Sequence, residues 1–319
     1  MRTSQTTAVV LSSVLFLARP VAAPLAAPAG AQERPQFRTG TQGVSVSVTV
    51  TDKKGRAVVD LTAADFVVSD DRVPRTIVNF KGLKEARSSG IGLGLVLDFS
   101  LSMTRERIDS MRTAVQVLFK RLTAGDEIYF VDFSSVSHLS VPWTSNQNTV
   151  LDAIRRTRTR EGTAIYDAIR DALPISSAGK LKKQVMLVIT DGADYNSTVN
   201  RTQLAQAAAA SDVVIYALVI NDEERVNRGP APVRNAADLR QSAAELSQIT
   251  DVTGGSTKYV EGFGELEAAI TRLGQDFTQQ YFVEYARGGA ADGKYHEIAV
   301  TVRNRPDVTV RHRHGYVAN

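Results

Sequence analysis

Three oxygen-bearing side chains stand at every second position in Asp98-Phe99-Ser100-Leu101-Ser102. In extended backbone, positions i, i+2 and i+4 point the same way, so one carboxylate and two hydroxyls can converge on a single hard cation. The run before them, Ile91-Gly-Leu-Gly-Leu-Val-Leu97, carries no charge and reads as a strand buried on both faces. After them Ile108, Met111, Val115, Leu118 and Leu122 recur at helical spacing, which puts the cluster in a strand-to-helix turn. Open α/β sheets bind their ligands at that end of their strands. Taken alone, the Asp-x-Ser-x-Ser pattern is equally compatible with simple capping of the next helix.

Two further segments add to it. Glu161-Gly162-Thr163 precedes the apolar face Ile165, Ile169, Leu173 of a short helix, and Val185-Met-Leu-Val-Ile-Thr190-Asp191-Gly192 is another buried strand that ends on an acid. With these three segments in this order, the chain resembles a von Willebrand factor type A domain over roughly Gly90 to Gln275. The resemblance implies a metal-ion-dependent adhesion site at Asp98, Ser100, Ser102, Thr163 and Asp191, with no member missing. That donor set is all hard oxygen and suits a divalent cation, Mg²⁺ first, with Mn²⁺ and Ca²⁺ as alternatives to it. Neutral hydroxyls leave much of the cation's charge uncompensated, so a coordination position remains electrophilic. In A-type domains an acidic side chain of a partner fills it. The resemblance therefore implies an exported, cation-dependent protein-binding module whose ligand is a protein or peptide offering an acidic side chain. It further implies that the closing helix, around Leu266 to Phe277, shifts with ligand state.

Two other functions compete with this one. A metal-dependent phosphatase resembling the haloacid dehalogenase group would carry a second acid two residues after Asp98, where Ser100 stands, and no His or Glu is placed as a general base. The chain is accordingly expected not to be an enzyme. A structural or scaffold A-type domain with a merely stabilising or empty site is the remaining alternative.

The elements that must position these residues alternate strand and helix from Ile91 to Phe277, with strands at 127–133 and 213–220 and helices near 148–158, 202–210 and 238–249. This predicts an α/β fold, a doubly wound Rossmann-like and mostly parallel sheet with right-handed crossovers. Pro142 fits a short antiparallel edge strand at His138–Pro142. The Gly90-x-Gly92-x-Gly94 run precedes its strand instead of following it, so it is not a dinucleotide fingerprint. Outside this region the period changes to two. Val44, Val46, Val48 and Val50 alternate with polar residues, short strands follow near 66–69 and 76–80, and Tyr281, Val283, Tyr285, then Ile298, Val300, Val302, then Val308 and Val310 alternate at the other end. Both ends read as one small antiparallel β-sandwich-like domain, residues 44–87 and 278–319, into which an A-type domain of residues 90–275 is inserted; two small β-flanks docked separately on the α/β core are the alternative.

Residues 1–31 read as a secretory signal peptide, with Met1-Arg2, the apolar centre Ala8 to Ala18, and cleavage after Ala29-Gly30-Ala31; residues 32–43 are an aperiodic leader. No later run is long and apolar enough for stable membrane insertion. With no Cys among 319 residues, neither a lipid anchor nor a disulfide is available, so an exported fold rests on core burial. A secreted or periplasmic location follows as the expectation. Once Arg2 and Arg19 leave with the signal, 36 basic residues face 34 acidic ones, and no basic stripe interleaved with aromatics argues for nucleic acid. Asp132 and Asp194 read as surface acids, with support of the metal ligands from behind as the alternative, and His138, His296, His312 and His314 as solvated strand residues. The run Arg311-His-Arg-His314 reads as the charged face of an edge strand. Residues 221–236 are polar, Pro-containing and aperiodic, a loop expected on the metal face and in partner selection.

Overall fold

A computed structural model describes residues 43–221 and 236–318. The signal peptide expected at 1–31, the expected leader through residue 42, and residues 222–235 of the loop expected at 221–236 lie outside the described residues. The central sheet has six strands: β5 (Gly92–Asp98), β6 (Glu127–Phe133), β7 (Ser137–Thr144), β8 (Gln184–Thr190), β9 (Val214–Asn221) and β10 (Ser256–Glu261), in the spatial order β10-β9-β8-β5-β6-β7. All neighbours are parallel except the edge strand β7, which carries Pro142 and runs antiparallel to β6. The order runs outward in both directions from β5 and β8. The carboxyl ends of these two central strands, where Asp98 and Asp191 stand, are thus where ligands bind in such sheets.

The period of two sorts each strand between two helical layers. Leu93, Leu95 and Leu97 pack with α2 (Arg105–Phe119), α3 (Gln147–Arg156) and α7 (Leu266–Thr278). Val96 faces the other way, toward α4 (Ile165–Ser177), α5 (Arg201–Ala209) and α6 (Ala236–Val252). Each buried leucine contributes about 1.5–3 kcal/mol. On that second face, a Cβ at Gly94 would run into the Tyr129 ring, whose hydroxyl is 2.7 Å from Ser176 Oγ. Glycine is needed there for close approach, not for phosphate binding.

The remaining strands form two four-stranded antiparallel sheets. One, in the order β13-β1-β11-β4, joins β1 (Gly43–Thr51) and β4 (Ile77–Lys81) to β11 (Tyr281–Ala286) and β13 (Thr309–Arg311). The other, β14-β12-β2-β3, joins β2 (Phe66–Asp70) and β3 (Val73–Arg75) to β12 (Tyr295–Val302) and β14 (Gly315–Val317). The valines of β1, Phe66 and Val68 of β2, the tyrosines of β11, and Ile298 and Val300 of β12 share one core. Strands β3 and β14 and the short helix α1 (Leu83–Ser88) are additions to the sequence reading. Pro74 lies inside edge strand β3, and the chain passes at Thr76 from one sheet to the other.

Three readings of charged residues are corrected. Arg311 ends edge strand β13, as expected, but the run continues as a docking segment: Arg311 pairs with Asp276 at 2.7 Å, Arg313 with Asp212, and the His314 amide donates to the Val252 carbonyl. His312 is not solvated, since its Nε2 accepts from the Val300 amide and its Nδ1 is 2.7 Å from the Arg313 carbonyl. His296 sits among carboxylates, described below. Where this docking segment meets the α/β layer, buried Gln280 donates from Nε2 to Thr49 Oγ1 and to the Tyr216 hydroxyl.

Candidate metal centre

Strand β5 ends at Asp98, which is fully buried, and the chain turns through Ser100 and Ser102 into α2, capped by Thr104. The Ser100 amide donates to Asp98 Oδ1 at 2.7 Å. Ser100 Oγ and Ser102 Oγ are 2.7 Å apart, and Ser102 Oγ donates to Asp191 Oδ1 at 2.6 Å. Thr190 Oγ1 closes the set by donating to Asp98 Oδ2 at 2.6 Å, while it accepts from the Gly192 amide at 3.1 Å. Four of the five sequence-derived residues, Asp98, Ser100, Ser102 and Asp191, thus form one buried oxygen cluster across the ends of β5 and β8.

Thr163 reaches the same end of the sheet on the loop before α4. The Arg160 amide donates to the Phe99 carbonyl, Ser100 and Arg160 form a parallel bridge, and the Tyr195 amide donates to the Thr163 carbonyl at 2.9 Å. Gly162 makes the turn at φ +83°, where a Cβ would strike Ser135 and Asn196. Thr163 itself is 1% exposed, and its Oγ1 has no hydrogen-bond partner among the described residues. A buried hydroxyl left unpaired costs about 1–3 kcal/mol, which marks a position built for something else to bind.

Asp132 and Asp194 are positioning groups and not surface acids. Asp132, buried at the end of β6, takes Arg160 and Ser140, and so fixes the loop that carries Thr163. Asp194 accepts from the Tyr166 amide at 3.1 Å, serving from a neighbouring loop the first turn of α4, whose own N-cap residue Ala164 has no capping side chain. Burial raises its carboxyl above the ordinary value despite these bonds.

Two further residues, Thr190 and Arg107, belong to the cluster. Arg107 donates from one guanidinium nitrogen to Asp191 Oδ2 at 3.1 Å and to the Ser102 carbonyl at 2.8 Å. Its sequence signal was a cation in the first turn of a helix, where the dipole disfavours one unless an acid compensates it. Burial, then the charge of Asp191, pushes the Asp98 carboxyl up to about 7. Two carboxylates, three hydroxyls and an unpartnered Thr163 oxygen make a hard-oxygen donor set that fits Mg²⁺, Mn²⁺ or Ca²⁺ and offers no nitrogen or sulfur to softer ions.

A mostly parallel sheet between two helical layers, with an acid-and-hydroxyl cluster at the carboxyl ends of its central strands, defines the class of protein. Residues 93–193 match the sequence profile of the von Willebrand factor type A domain. A search of curated proteins finds no match. Among solved structures the chain is similar to a von Willebrand factor type A protein from Catenulispora acidiphila (12% identity, 89% of this chain and 76% of that one, TM-score 0.48). It is also similar to the conserved hypothetical protein BatB from Bacteroides thetaiotaomicron (18% identity, 58% and 98%, TM-score 0.46). A third is the vWF domain of the type V pili tip protein Mfa5 from Porphyromonas gingivalis (14% identity, 64% and 98%, TM-score 0.46).

Proposed function

We propose that this chain is an exported binding module that captures an acidic group of a protein partner through a divalent cation held by Asp98, Ser100, Ser102, Thr163 and Asp191. The observation that carries the reading is the Thr163 hydroxyl, buried without a hydrogen-bond partner among the described residues, on a loop tied to the ends of β5 and β8. A bound cation would supply an electrophilic position for a partner carboxylate. The chain's own residues do the rest. Thr190 and the Ser100 amide orient the Asp98 carboxylate, Arg107 orients that of Asp191, and Asp132 with Arg160 fixes the Thr163 loop. The Leu266–Thr278 helix packs against α2, whose first turn lies beside the cluster, and so is the element through which ligand state would be read out. Among the described residues no helix is long and apolar enough to cross a membrane.

The test immobilises the wild-type chain and its Asp98→Ala variant and presents secreted proteins from the same cells in Mg²⁺ or in EDTA. Capture in Mg²⁺ alone, and by the wild type alone, is the expected result. Capture that survives both EDTA and Asp98→Ala eliminates the reading. Turnover of a generic phosphoester, lost in Asp98→Asn, would replace it with a hydrolase.

A further inference from the structure

The β-sandwich carries a second cluster of ligating groups, with no residue in common with the first. At the end of β2, Asp70 and Asp71 lie opposite His296 of β12, and one ligand atom from each of the three lies within 4.8 Å of the others. Among the described residues this is the one place where three acidic or histidine side chains converge so closely. Asp70 is 1% exposed and its Oδ1 has no hydrogen-bond partner among the described residues, although it stands 3.8 Å from His296 Nδ1. Its other oxygen is fixed by the Tyr316 hydroxyl at 3.0 Å, with Arg75 at 4.0 Å. Asp71, on a turn at φ +49°, points Oδ2 at Nδ1 from 2.8 Å and holds the Glu297 amide with Oδ1.

The imidazole has a partner on its far side as well. Asp292 Oδ1 lies 3.1 Å from His296 Nε2, so with a cation at Nδ1 the ring would carry its proton on Nε2 and donate it to Asp292. A carboxylate behind a histidine is how metal-ligating histidines are oriented and made more basic. One imidazole nitrogen and two carboxylates, open to solvent through half-exposed Asp71, are the donor set of a three-protein-ligand site for a borderline ion.

We propose that Asp70, Asp71 and His296, with Asp292 behind the imidazole, form a second divalent-cation site of the zinc class, independent of the one above the α/β sheet. The two sites differ in chemistry. The first is hydroxyl-rich and has no nitrogen; the second has one, which favours zinc over magnesium. Its residues come from the β2–β3 turn, from the segment before β12 and from β12 itself. Tyr316 of β14 holds Asp70 from behind. A bound ion would thus clasp strands from the two ends of a chain that has no cysteine to cross-link them.

The experiment is calorimetric titration of Zn²⁺ into the EDTA-stripped, desalted full chain at pH 7.5, for wild type, Asp98→Ala, His296→Gln and Asp292→Asn, with far-ultraviolet circular dichroism on each. We expect Asp98→Ala to retain one tight zinc equivalent and His296→Gln to lose it. Asp292→Asn keeps every ligand and is expected to bind zinc about 10–100-fold more weakly. The proposal is overturned if wild type takes up no zinc below millimolar, if Asp98→Ala abolishes uptake, or if His296→Gln binds as wild type does. Should His296→Gln fail to fold, an unchanged zinc affinity in Asp292→Asn overturns it as well.

Discussion

Replacing Asp98 by Asn should stabilise the cation-free protein at alkaline pH. The carboxylate is fully buried and near the charge of Asp191, and its titration moves from 3.8 to about 7. At about 1.4 kcal/mol per unit, keeping it ionised costs the cation-free fold at most about 4 kcal/mol. Because the folded state holds the Asp98 proton more tightly than the unfolded state, wild type loses stability as pH rises through the window from 3.8 to about 7. The loss is complete above it and absent below it. Asparagine keeps an oxygen for the Ser100 amide, and its NH₂ can donate to Thr190 Oγ1, so most of the bonding survives. After allowing for weaker bonds to a neutral amide, the net gain at pH 8 should be about 1–3 kcal/mol, or about 3–10 °C in melting temperature for a fold of this size. Saturating Mg²⁺ should reverse the order, since a cation at about 1,000 times its Kd adds about 4 kcal/mol to wild type and little to a variant that has lost the Asp98 charge. Scanning calorimetry in EDTA from pH 4 to 8.5, repeated in Mg²⁺, reads both effects. A variant that melts at or below wild type in EDTA at pH 8 would refute the claim that buried charge destabilises the cation-free site.

Thr163→Val removes a hydroxyl with no protein partner at almost constant shape. Stability without cation should rise by about 1–3 kcal/mol, whereas Mn²⁺ affinity measured by calorimetry should drop at least about tenfold; equal affinities would remove Thr163 from the donor set. Arg107→Gln deletes the positive charge beside Asp191. At an effective dielectric of about 20 that repulsion is on the order of 1 kcal/mol or more, so Mn²⁺ affinity should rise about fivefold or more; a fall would show that orienting Asp191 outweighs repelling the ion.

The α/β layer was legible because its strands carry their own evidence: β5, β8 and β9 are uncharged apolar runs, and the helices between them repeat their apolar residues at 3.6. The alternating strands of the sandwich could be read for the same reason. What escaped depends on partners far away in sequence. Strand β14 is three residues long and pairs only with β12; β3 contains a proline that an edge position tolerates. Asp132 looked like a surface acid because Arg160, its counter-ion, lies 28 residues on. His296 looked solvated because Asp71 is 225 residues away. At the cluster, Asp98, Ser100 and Ser102 were visible from spacing alone, whereas Thr163 and Asp191 needed the resemblance. Thr190 and Arg107 stood beside quoted residues, but their hydrogen bonds are made across the sheet.

The pairing of β1 sets an order of events during synthesis. Its neighbours are β11 and β13, so Gly43 waits for Ala286, and Thr49 for Arg311. Of the first four strands only β2 and β3 find each other locally. Until translation has passed residue 281, the valine face of β1 lacks the β11 and β12 part of its core and the strand lacks the ladder partners of both edges, the state in which a nascent chain is most exposed to aggregation. Emergence of the last forty or so residues, not the first, is therefore what lets the amino-terminal strands fold.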